Sequence, residues 1–257
     1  MRPFTTCTFI GFIVPLGTAI FAFFLAGLIW NKYLKKKTVM LKYLSLALTF
    51  LALAVFVDPF IVMFTQNNDV VPAFSVLGNW SLASTLPFAM SAIANVFILL
   101  FVKQVFFKDK NAAWIYPIVI AEIAVGFLTV LFGILGEDTL IVLLLHVVLT
   151  ITTYFILFAN ANRIASRVDK NTDPVGYHGM RIIALSALFL VFTIVAFILH
   201  EVSYAIPELN VALTSVSFFE GGCSYFVPMG WFLAIVSALF LYLGYGMPDW
   251  FKRRWEE

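Results

Sequence analysis

Every Lys and Arg in this chain except Arg2 falls in alternate connectors between apolar segments. Seven such segments read near 8–30, 43–64, 81–102, 112–135, 139–160, 182–200 and 226–247. After the first come Lys32, Lys35, Lys36, Lys37 and Lys42, and after the third Lys103, Lys108 and Lys110. After the fifth come Arg163, Arg167, Lys170 and Arg181, and after the seventh Lys252, Arg253 and Arg254. Lys and Arg beside short loops stay on the cytoplasmic side during insertion. The odd segment count and the charge bias agree on one topology. It is an all-α integral membrane protein of seven transmembrane helices, N-terminus outside and C-terminus cytoplasmic. The expected location is the plasma membrane of a prokaryote.

Composition agrees with this frame. Apolar residues make up 62% of the chain and charged residues 12%, where a soluble domain has nearer half and a quarter. Each segment has about 20 residues, enough for a helix to cross a roughly 30 Å hydrocarbon core. A barrel strand would be shorter and alternating in polarity. The connectors are too short to fold separately, so residues 1–257 are expected to form one membrane domain. The first segment is not expected to be a cleaved signal peptide, because its basic cluster follows the apolar stretch instead of preceding it. No basic stripe suits nucleic acid. Prolines at Pro15, Pro59, Pro87, Pro117 and Pro228 fall inside or at the edges of segments, and membrane helices tolerate them. Small residues such as Ser84, Ser91, Ala94 and Ser186 offer sites of close helix contact.

Two outer stretches, 69–80 and 203–226, are apolar and aromatic enough to fold back as caps over the bundle mouth or to dip among lipid headgroups. The inner stretch 161–181 is expected to begin as an extension of the fifth helix. It would carry Arg163, Arg167 and Lys170 on one face, toward anionic lipid, until Asp173-Pro174 breaks it. Lys35, Lys36, Lys37, Lys252, Arg253 and Arg254 are further lipid- or partner-facing cations.

Ionisable groups inside a bilayer are costly and are candidates for function. Asp58, His146, His200 and Glu201 read at outer depth and are expected to line an outward-facing ligand pocket. Each has a plainer alternative. Asp58 can satisfy backbone freed by Pro59, His146 can be a packed core histidine, and His200-Glu201 can sit among headgroups. Glu122 and Asp58 are the buried acids. Glu122 reads near mid-membrane with no Lys or Arg at its depth. An unpaired carboxylate there is disfavoured, so a neutral acid bonded to Asn95 or Thr150 is expected. Cys7 and Cys223 both read outside, where disulfides persist. A Cys7–Cys223 bond is expected if the first and last helices are neighbours, with two packed thiols as the alternative. Asn79-Trp80-Ser81 is a weak glycosylation sequon.

Several chemistries are disfavoured. The three histidines, His146, His178 and His200, are not spaced as zinc ligands, so no metal site is expected. A retinal Schiff base needs a Lys in the last segment, and 226–247 has none. Haem would need paired axial ligands at one depth, for which only His146 and His200 are available. No phosphate loop, dinucleotide fingerprint or serine-hydrolase elbow is present. No cofactor and no catalytic residue are expected.

The exit run Tyr242–Arg254 reads YLGYGMPDWFKRR. It resembles the exit of the N-terminal seven-helix input regions of prokaryotic membrane sensors, including some histidine kinases. The matching residues are Tyr242, Gly244 and Tyr245, then Pro248 and Trp250, then Lys252 to Arg254. The resemblance implies a non-catalytic, receptor-like ligand sensor. Such sensors continue into a cytoplasmic signalling region. Here the sequence ends at Glu257, so the expectation is either a stand-alone relative or one that passes its signal to a separate cytoplasmic signalling protein. The alternatives are an accessory subunit of a larger membrane complex, or a small transporter or proton pathway using Glu122 and Asp58. Inverted repeats, common in transporters, are not evident.

Overall fold

A computed structural model describes residues 6–66, 82–107, 112–135, 140–205 and 226–256. These residues form helices without strands. The elements are α1 (Thr6–Lys36), α2 (Val39–Gln66), α3 (Leu82–Phe106), α4 (Ile115–Leu135), α5 (Leu140–Ala165), α6 (Pro174–Ala205) and α7 (Phe226–Leu241). A π-helical turn, Tyr242–Gly246, prolongs α7, and a short α8 covers Asp249–Glu256. Seven helices are long and apolar enough to cross a membrane.

The helices close into a ring. Each packs on its neighbour in sequence, and α7 returns to α1. One helix stands apart. α3 and α5 also touch each other, so they close behind α4, which lies in the groove on their outer side. Burial follows this placement: half of the α3 span is buried but only 28% of the α4 span. α4 turns Ile120, Ile123 and Phe127 outward, each more than half exposed. Such a surface suits contact with hydrocarbon or with another apolar protein face. The apolar core lies toward the basic end of the ring, where Ile29, Leu44, Leu48, Ile98, Leu99, Phe101, Leu157, Ile183 and Leu241 are fully or almost fully buried.

Helix association in lipid depends on close packing, because lipid tails are as apolar as leucine. The seams use small residues accordingly. Ser45 donates to the Ala26 carbonyl across α1–α2 at 3.0 Å. A Cβ on Gly126 of α4 would stand 3.0 Å from the Ala92 Cβ of α3. A Cβ on Gly244 would meet Ile183 Cγ1 at 2.7 Å, and the Gly179 carbonyl and Ile183 nitrogen at 3.0 Å. The aromatic-Gly-aromatic step of the exit run therefore has a packing reason. Gly244 lets the π-helical turn lie against the α6 backbone, while Tyr245 reaches the Met40 sulfur at 2.8 Å and sets its ring edge-on to Phe101. The Lys32 ammonium donates to the Gly246 carbonyl beside it.

The basic connectors hold two departures from the sequence reading. α5 ends at Ala165, so Arg167 and Lys170 lie in turns and the expected helical face of Arg163, Arg167 and Lys170 does not form. Asp173 instead opens α6, with its carboxylate accepting the Gly176 N–H at 2.8 Å and Pro174 in the first helical position. An Asp cap followed by Pro is a strong helix start, so helix regrows eight residues before the apolar segment near 182 begins. The second is α8, a short helix after Pro248 in a stretch to which the sequence reading assigned no structure.

Lys35, Lys36, Lys37, Arg163, Arg167, Lys170 and Arg253 are exposed, and Lys252 is half-buried. The exposed tryptophans among the described residues, Trp30, Trp114 and Trp250, fall at the ends of basic connectors in the sequence. Tryptophan prefers the membrane–water interface.

Candidate functional site

α4 packs through a stripe of Ile115, Val119, Glu122, Val125, Gly126, Thr129 and Gly133. This is the periodicity of one helix face, and Glu122 occupies it where an apolar residue would serve packing equally well. Its side chain is fully buried. The facing helices supply polar groups at helical spacing. α5 contributes His146, Thr150, Thr153 and Tyr154, and α3 contributes Ser91 and Asn95.

Thr153 donates to Glu122 Oε1 at 3.1 Å. Asn95 Nδ2 donates to Thr150 Oγ1 at 2.9 Å, and Thr150 donates to its own helix at the His146 carbonyl, 2.7 Å. His146 stands edge-on to Phe88, with Nε2 at 3.3 Å from Ser91 Oγ and 3.4 Å from Thr150 Oγ1. Its Nδ1 faces Glu122 Oε2 at 3.9 Å.

Four buried atoms here lack a hydrogen-bond partner: Asn95 Oδ1, Glu122 Oε2, His146 Nδ1 and Tyr154 OH. Buried polar atoms are nearly always satisfied, and each exception needs an explanation. The proton inventory narrows it. If His146 Nε2 carries the hydrogen toward Ser91, Nδ1 is a lone pair facing a carboxyl oxygen. The pair is then attractive only if Glu122 holds a proton. If Nδ1 carries the hydrogen, Ser91 can donate to Nε2 and Glu122 can be ionised. Either arrangement puts one proton between Glu122 and His146. At 3.9 Å the two atoms are too far apart for a direct hydrogen bond. The geometry suits either a small approach of α4 toward α5 or a small polar molecule that donates to one atom and accepts from the other.

Glu122 therefore bonds to Thr153 and interacts with Asn95, one of its two expected partners, while Thr150, the other, bonds to Asn95 instead. His146 is turned toward Glu122. The side chains of Asp58, His200 and Glu201, expected beside it in an outward-facing pocket, lie outside the described residues, as do those of Cys7 and Arg254. Cys223, the sequon at Asn79 and both candidate caps also lie outside them, apart from the α6 end up to Ala205. The α1–α7 contact does bring the first and last helices together, as a Cys7–Cys223 bond would require. Thr153 and Tyr154 were missed in the sequence. Their signal was the polar series His146, Thr150, Thr153, Tyr154, recurring at steps of four, three and one residues within an apolar span.

No family model, curated protein or solved structure matches this chain.

Proposed function

We propose that this chain is a receptor-like, non-catalytic seven-helix membrane sensor whose responsive element is the Glu122–His146 cluster between α3, α4 and α5. The carrying observation is the set of four fully buried polar atoms without partners, gathered under a helix seated on the outer side of the α3–α5 contact. A proton or a small polar ligand taken up there changes the attraction between α4 and α5, and the peripheral α4 can answer by shifting. The N-terminus is outside and the C-terminus cytoplasmic, a reading supported by the distribution of Lys and Arg. Output then leaves through the basic connectors and α8 to a separate signalling protein, in the plasma membrane of a prokaryote. The likeness of the exit run to sensor input regions favours this reading over that of an accessory subunit.

The test places a fluorophore on α4 at Ile120→Cys, with Cys7 and Cys223 replaced by Ser, in lipid nanodiscs. The pH is stepped between about 5 and 8, the range in which histidine environments change charge. Quenching by lipid-borne quenchers is expected to change, and Glu122→Gln and His146→Gln are each expected to remove the change while helicity and thermal unfolding persist. An unaltered response in both variants would overturn the proposal. A second reading, a proton pathway, draws on the single proton held between Glu122 and His146. Proton flux into vesicles that Glu122→Gln abolishes would favour it over sensing.

A further inference from the structure

We infer that the cleft between the end of α5 and the first turns of α6 binds the phosphate of an acidic phospholipid. The cleft holds about 520 Å³ and is lined by Asn162, Ser166, Asp169, Lys170, Tyr177 and Arg181, among others. It exists because α5 stops at Ala165 and α6 restarts at Pro174. The turn between them brings Lys170 back toward Arg181, one helix away.

Arg181 is positioned by neutral groups. Its Nε donates to Tyr177 OH and its Nη1 to Asn162 Oδ1, both at 3.3 Å, and its guanidinium lies 5.6 Å from the Tyr177 ring centre. Among the described residues, no carboxylate lies within 4.0 Å of Arg181 or Lys170, and the single ion pair is His146–Glu122. The one acid in the cleft, Asp169, has Oδ1 occupied by the Asn171 N–H at 2.9 Å. Ser166 is held to the Arg163 carbonyl at 2.9 Å and can rotate only by giving up that bond. Two cations thus share a pocket with a single carboxylate that pairs with neither of them within 4.0 Å, so the cleft keeps a net positive charge, and one of the cations is held in a fixed plane. A planar guanidinium beside an ammonium is a good receptor for a phosphate oxyanion.

The level of the cleft selects the source of that phosphate. It lies in the connector layer that carries the exposed cations and the outward-facing Trp30, Trp114 and Trp250. Interfacial tryptophan marks headgroup depth, where an acidic lipid brings phosphate without a free ligand having to be captured from water. The inference does not depend on the role of the Glu122–His146 cluster.

The experiment uses the full chain in detergent, with lipid retention read by native mass spectrometry against phosphatidylglycerol and phosphatidylcholine. Wild type is expected to retain phosphatidylglycerol selectively. Arg181→Gln and Lys170→Gln should each lower that retention roughly five- to tenfold, in line with about 1 kcal/mol per surface cation. Arg163→Gln, an equal loss of charge on the exposed side of α5, should leave it within twofold. Tyr177→Phe, which keeps the ring and removes the acceptor of Arg181, should give an intermediate loss and serves if Arg181→Gln fails to fold. Equal losses in Arg163→Gln and Arg181→Gln would overturn the cleft in favour of diffuse attraction. Displacement of the lipid by millimolar inorganic phosphate, with retention of that phosphate, would overturn the lipid as the source.

Discussion

Two of the polar contacts that cross the helix seams of this protein are built on opposite plans. Between α6 and α7, Ser186 donates to the Ser237 carbonyl at 2.8 Å and Ser237 donates to the Ser186 carbonyl at 2.8 Å, with the hydroxyl oxygens 3.1 Å apart. Neither hydroxyl lacks a partner, and both side chains are fully buried. Between α4 and its neighbours, the Glu122–His146 cluster has more polar atoms and leaves four of them unpaired. A satisfied pair holds helices together at little cost. A partly satisfied network is worse for stability than an apolar seam. The serine clasp therefore reads as structure. The cluster reads as a site, retained for what it can take up.

Replacing the cluster is the strongest way to break this comparison. Glu122→Met combined with His146→Leu removes both ionisable groups and roughly keeps volume. Thr153 can then return its hydrogen to its own helix, as Thr150 does. Because apolar replacement of a buried charged pair is often neutral or stabilising by about 1–4 kcal/mol, thermal unfolding is expected at the same or a higher temperature, with the α4 response lost. A double variant clearly less stable than wild type would show that the cluster is structural glue, and the comparison would fail.

The next effect sharpens the other side. Gly244→Ala puts a methyl against the α6 backbone, where neither the Gly179 carbonyl nor the Ile183 nitrogen can rotate away. A loss of about 1–3 kcal/mol is expected, as for overpacking elsewhere. It would be measured by unfolding in detergent, with the α4 response intact. Unchanged stability would mean that the seam is looser than its contacts imply.

The smallest effect is the clasp itself. A double-mutant cycle on Ser186→Ala and Ser237→Ala should return a coupling of about 0.6 kcal/mol, the average for hydrogen bonds between membrane helices. A coupling near zero would remove the clasp as a structural element. An effect on the α4 response would contradict its separation from the site.

Hydropathy and basic-residue placement are properties of a sequence position and its near neighbours. That is why the seven spans and the alternation of basic connectors were legible in the chain. Glu122 could likewise be singled out, since an acid near mid-span is conspicuous in any register. Its partners were legible only in part: Asn95 was named and Thr153 was not. Whether Glu122 meets Asn95, Thr150 or Thr153 depends on the rotation of α4 and on its seat in the groove between α3 and α5, and one apolar helix face looks much like another in sequence. His146 shows the same dependence. Read by depth it belongs with Asp58 and His200, but the rotation of α5 turns it toward Glu122. The cleft at Arg181 arose from a competition that periodicity alone did not reveal. Arg163, Arg167 and Lys170 have helical spacing, yet the Asp173 cap on α6 and the turns after Ala165 took that stretch out of α5. Tertiary packing decided these points because each requires choosing between locally adequate conformations, and the choice is made by contacts with helices distant in the chain.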